Sequence, residues 1–116
     1  MKRDPYEMAL LLDFYGETLT EKQRTLSDLY YNQDLSLAEI AEEAGISRQG
    51  VHDTIIRAEN TLLTLEAQLG CVARSREISR TADAILAAVR ELPDGEPARR
   101  IAALARSLSA AESESI

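Results

Sequence analysis

The 116 residues contain no tryptophan and only one phenylalanine, so they lack the aromatic stock from which most sheet sandwiches are built. Three prolines and five glycines leave few places for sharp turns, which predicts long helices and few connections. A lone cysteine, Cys71, excludes a disulfide framework and a cysteine-based zinc site. The one histidine, His52, precedes Asp53. Consecutive helical residues point about 100° apart, so this pair does not face a single point. No serine, cysteine or second histidine is placed to complete a nucleophilic unit, and the scattered glycines form no phosphate-cradling loop. Neither an enzyme nor a bound metal or cofactor is expected. Apolar runs stop at MALLL and AILAAV, far short of a membrane span. The opening MKRDPYE turns acidic too early for a secretion signal. A reducing cytoplasm suits such a chain.

Alanine, leucine, glutamate and arginine dominate instead, and 45% of residues are hydrophobic. That composition favours helices and suffices for a real core. The net charge of −7 is unevenly spread. Residues 1–19 hold two Lys/Arg and four Asp/Glu, residues 20–70 four and nine, and residues 71–116 seven and seven. The acidity therefore lies in the first part of the chain, and the last part is neutral and arginine-rich.

The spacing predicts an all-α chain. Asp4-Pro5-Tyr6-Glu7 opens a helix with Met8, Leu11, Leu12 and Tyr15 on one face and Gly16 as its stop. Thr20 with Gln23 has capping-box spacing and starts a second helix around Leu26, Leu29 and Tyr30. Ser36 with Glu39 has the same spacing before Leu37, Ile40, Ala41 and Ala44. Gly45 ends that short helix, Ile46 plugs a corner and Ser47 caps the next helix. Together these make a helix-turn-helix.

The second helix of that motif continues. Val51, Ile55, Ala58, Leu62, Leu65 and Leu69 are spaced as a heptad seam, and Gly70 closes it. This divides the chain into a head at 1–70, whose long helix spans 48–69, C-terminal helices at 71–109 and a fraying tail at 110–116. A helix capped by Ser75 repeats the heptad at Ile78, Ala82, Ile85, Val89 and Leu92. After the turn Pro93–Pro97, a last helix is expected to turn Ile101, Leu104, Ala105 and Leu108 inward. The seam through Val51, Ile55, Leu62, Leu65 and Leu69 can pair with the following helix in a helical hairpin, or with the same seam of a second copy. A homodimer is expected.

Two groups of side chains could bind a partner. Ser47, Arg48, Gln49 and His52, with Arg57 further along, lie where a DNA-reading helix-turn-helix contacts bases and phosphates. Against duplex DNA stand the carboxylates of Glu39, Glu42, Glu43 and Asp53, and the missing side chain at Gly50. Arg74, Arg76 and Arg80 form a second basic patch, to which Arg99, Arg100 and Arg106 can add.

The run TEKQRTLSDLYYNQDLSLAEIAEEAGISRQGVHD resembles region four of bacterial sigma factors. With LLDFYGETLTEKQR before it, the chain resembles the YlxM family over about residues 4–92. The resemblance implies a sigma-like head used as a regulator or assembly factor of the signal recognition particle, binding its RNA or its GTPase. A helix-turn-helix DNA-binding regulator is the alternative. Sigma region four has arginine where this chain has Gly50, a basic residue at His52 and glutamine at Asp53. Only Arg48 persists among the promoter-reading groups, so promoter recognition does not carry over.

Overall fold

The computed structural model describes residues 2–114, with side chains through Ala111. The described residues form helices α1 (Pro5–Tyr15), α2 (Glu21–Tyr31), α3 (Leu37–Ala44), α4 (Arg48–Leu69), α5 (Cys71–Val89) and α6 (Glu96–Glu114), with a 3-10 turn at Gly16–Thr18. No strand occurs among the described residues. The helices gather into two compact units, one ending at Gly70 and the other beginning at Cys71.

In the head, each helix starts where local chemistry places it. The Asp4 carboxylate accepts from the Tyr6 amide, and Pro5 follows at the first helical position, where its missing N–H costs nothing. Thr20–Gln23 and Ser36–Glu39 both form complete capping boxes, with amide-to-side-chain bonds of 2.9–3.1 Å in each direction. Gly45 and Gly70 end α3 and α4 at φ 71° and 65°, where any side chain would be strained. Gly16 differs. It keeps a right-handed conformation and passes α1 into the 3-10 turn, which carries Leu19 into the core.

Met8, Leu11, Tyr15, Leu26, Tyr31, Ile40, Val51, Ile55, Ala58 and Leu62 are buried together, with α1, α2 and α3 all packed on α4. The proposed seam therefore divides. Val51, Ile55 and Leu62 belong to the core of the head, because three short helices already cover that stretch; Leu65 is half-buried and Leu69 exposed. The first two turns and more of the seam are not available to a second copy.

In the second unit, α5 begins at Cys71, directly after Gly70, rather than at Ser75, which lies buried a turn inside the helix. The left-handed glycine lets one helix stop and another restart without a linker. Pro93-Asp94-Gly95 turns the chain, and α6 packs back on α5 as an antiparallel pair. The face turned inward on α6 is not the expected one. Ala98, Ala102 and Ala105 are buried, while Ile101, Leu104 and Leu108 are 39%, 69% and 42% exposed. Both stripes have helical spacing, and alanine lets the two backbones approach more closely. The helix continues through Ala110, where fraying was expected, to Glu114; Ser115 and Ile116 lie outside the described residues.

Candidate functional site

The Ser47 hydroxyl accepts from the Gly50 amide at 2.9 Å, fixing the start of α4. A side-chain carbon at Gly50 would sit 3.1 Å from that hydroxyl, so glycine there relieves crowding around the cap. Ser47, Arg48, Gln49 and His52 are all exposed on the first two turns, and Arg57 is exposed further on. Nine residues separate Arg48 from Arg57, about 13 Å along the axis. The first four form one patch, with Arg57 at its margin.

Asp53 dominates this patch. Its Oδ1 accepts from Gln49 Nε2 at 2.9 Å and lies 3.6 Å from His52 Nδ1. The His52–Asp53 step thus approaches more closely than the helical geometry alone suggested, with both side chains in solvent. One of the four candidate readers, Gln49, is engaged by a carboxylate before any partner arrives, and a second, His52, lies beside it. Glu39, Glu42 and Glu43 are exposed on α3. The capping amide of Ser36, then its side chain, holds the Glu39 carboxyl below its ordinary value, so it stays charged further into acid. Arg48 and Arg57 supply the positive charge of the motif, and neither has an ion pair among the described residues.

Further along α4 the head holds a polar clasp that the sequence did not signal. Glu59, on α4, is buried, with its side chain only 6% exposed. It accepts a hydrogen bond from the Tyr31 hydroxyl of α2, and Arg3 Nε lies 3.6 Å from its other oxygen. Burial, reinforced by that bond to a carboxylate, pushes the Tyr31 phenol far above its ordinary value. Lys2 Nζ donates to the Tyr30 carbonyl at 2.7 Å and to Asp34 at 2.9 Å, and it sits 4.4 Å from the centre of the Tyr30 ring. The residues ahead of α1 are thereby tied to α2 and α4. Tyr15 adds a 2.6 Å bond to Glu66 further along α4.

Arg74, Arg76 and Arg80 are not one face. On α5, Arg74 and Arg76 point about 200° apart, whereas Arg76 and Arg80 lie within about 40°. A different arginine group converges at the turn of the second unit. Arg90, Arg99 and Arg106 border a cavity of about 410 Å³ floored by Val89, Leu92, Ala98 and Ala102. Arg99 is already paired there with Asp94 at 3.2 Å and with Glu96 at 3.6 Å. Arg90 entered no sequence motif, because only the folded turn brings it to the arginines of α6. Among the described residues, no three of His, Cys, Asp and Glu are placed to hold a metal ion. No helix among them is long and apolar enough to cross a membrane.

Known proteins are similar to this chain in sequence. The family described as YlxM / p13-like helix-turn-helix protein, UPF0122, matches residues 2–94. A UPF0122 protein of Thermoanaerobacter sp. (strain X514) is 53% identical over 78 residues, 67% of either chain. One of Acetivibrio thermocellus is 47% identical over 87 residues, covering 75% of this chain and 74% of its own. One of Symbiobacterium thermophilum is 44% identical over 102 residues, covering 88% and 95%.

Proposed function

The chain belongs to the YlxM/p13-like helix-turn-helix family, and from that premise we propose that it is a non-enzymatic regulatory or assembly factor of the signal recognition particle. Its place of action is the cytoplasm. The observation that supports this reading over promoter binding is Asp53, which holds Gln49 and neighbours His52 in the middle of the recognition surface. A head with six Lys/Arg and thirteen Asp/Glu in residues 1–70 releases few counter-ions from a phosphate backbone. Such a surface suits a basic protein face. Within the particle, the GTPase is then the contact of the head, and the RNA is left to the arginines of the second unit.

Copurification of the full chain with purified GTPase and with purified particle RNA, taken separately, tests the assignment. Retention on the GTPase without RNA is expected, with Asp53→Lys weakening it. Failure to retain either component overturns the proposal. Duplex DNA is the second reading, favoured by the exposed start of α4, where Arg48 has no ion pair among the described residues. In that case a selected duplex exists at moderate salt, and Arg48→Ala weakens its binding by about 1–3 kcal/mol.

A further inference from the structure

We propose that the second unit is half of an interface, completed by the same unit of a second copy through Ile101, Leu104 and Leu108 of α6. The apolar stripe alone would not name its occupant. Three further observations do.

The first is the absence of a large-residue core. Among the described residues, everything buried in this unit is small or medium-sized: Val72, Ser75, Ala82, Ala98, Ala102 and Ala105. The largest fully buried side chains of the protein, Met8, Leu11, Ile40, Leu62, Val51 and Ser27, all belong to the head. Two helices held by alanines bury little apolar area, and chains of this size ordinarily need a further element or a partner.

The second is where the large residues point. Ile78 and Ile85 stand seven residues apart on α5. In an antiparallel pair with its alanine faces together, they come to the same side as Ile101, Leu104 and Leu108. That side is a two-helix apolar face, with Leu104 69% exposed. Arg90, Arg99 and Arg106 line the cavity, with Leu92, on the other side.

The third is charge. Residues 71–116 carry seven arginines and seven carboxylates, so two such units meet without net repulsion. Two heads, each with seven excess carboxylates, repel one another. The 4-3 spacing of Pro97, Ile101, Leu104 and Leu108 also suits a twofold axis near Leu104, which sets Ile101 of one copy against Leu108 of the other. The product is a four-helix bundle made from two neutral hairpins.

Sedimentation equilibrium of the full chain between one and one hundred micromolar (roughly the range in which such a face would associate) is the test. The wild type should sediment as a dimer at the upper end. Leu104→Glu should sediment as a monomer while keeping its helical circular dichroism, since Leu104 is exposed and makes no core contact. In a Cys71→Ser background, Leu104→Cys should form a disulfide-linked dimer on mild oxidation. A wild type that stays monomeric throughout overturns the proposal, whether the face is then covered by the chain's own head or by a foreign protein. A Leu104→Glu chain that remains dimeric overturns it too, by placing the interface elsewhere. If Leu104→Glu loses its helical signal, the oxidation result alone decides, and failure to cross-link then counts against the face.

Discussion

The head and the second unit use the same residue stock to opposite ends. In the head, three short helices surround part of α4 and bury leucine, isoleucine, methionine and tyrosine together. In the second unit, two helices of nineteen residues meet through Val72 and small residues, and α6 leaves Ile101, Leu104 and Leu108 exposed. The head carries the net charge and the second unit carries none. A core that closes on itself can tolerate self-repulsion; a face awaiting a partner is better neutral.

Equal truncations should separate the two most sharply. Leu62→Ala, in the head, should lose about 2–5 kcal/mol in urea unfolding, the range for a fully buried leucine. Leu104→Ala, measured on dissociated chains, should shift stability by under about 0.5 kcal/mol. Similar losses at the two sites would dissolve the contrast.

The clasp comes next. Tyr31→Phe should cost about 1–3 kcal/mol, because the buried Glu59 carboxylate loses its donor. The sign of the pH effect follows from the raised phenol. The folded state keeps its proton beyond the ordinary value of 10.0, so this stability is complete below that pH and is lost as pH rises above it. Thermal melts of the wild type should fall as pH rises above 10.0, and Tyr31→Phe should flatten the fall.

Ser36→Ala should cost about 1 kcal/mol, confined to the helix-turn-helix. Glu39 is depressed below its ordinary value of 4.5, so the support it lends α3 is complete above that pH and is lost as pH falls through the lower, folded-state value. Amide exchange in α3, followed as acid is added, reads both effects. The smallest change is Ser27→Ala. The Ser27 hydroxyl is buried with no hydrogen-bond partner among the described residues, so its removal should leave stability unchanged or raise it by up to about 1 kcal/mol in urea.

The start of every head helix was legible because capping is local. Asp4, Thr20, Ser36 and Ser47 each bond within three residues, and both capping boxes were visible as spacings. The inner face of α6 was not. Its alanine stripe and its leucine–isoleucine stripe share one period, and hydrophobicity alone chose the larger residues. Only the closeness of α5 decides between them. Tyr31 and Glu59 stand twenty-eight positions apart, and nothing in a lone glutamate on a long helix announces that it will be buried. The bond between Gln49 and Asp53 was readable in principle, since residues four apart on a helix are neighbours.

Arg3 beside Glu59 and Lys2 between Tyr30 and Asp34 have a practical consequence for anyone handling this protein. The residues ahead of α1 serve as a latch. Removing the charge of Lys2 or Arg3 opens it, and a head loosened in this way changes for reasons unrelated to Arg48 or Asp53. Variants that probe Arg48 or Asp53 should leave Lys2 and Arg3 intact.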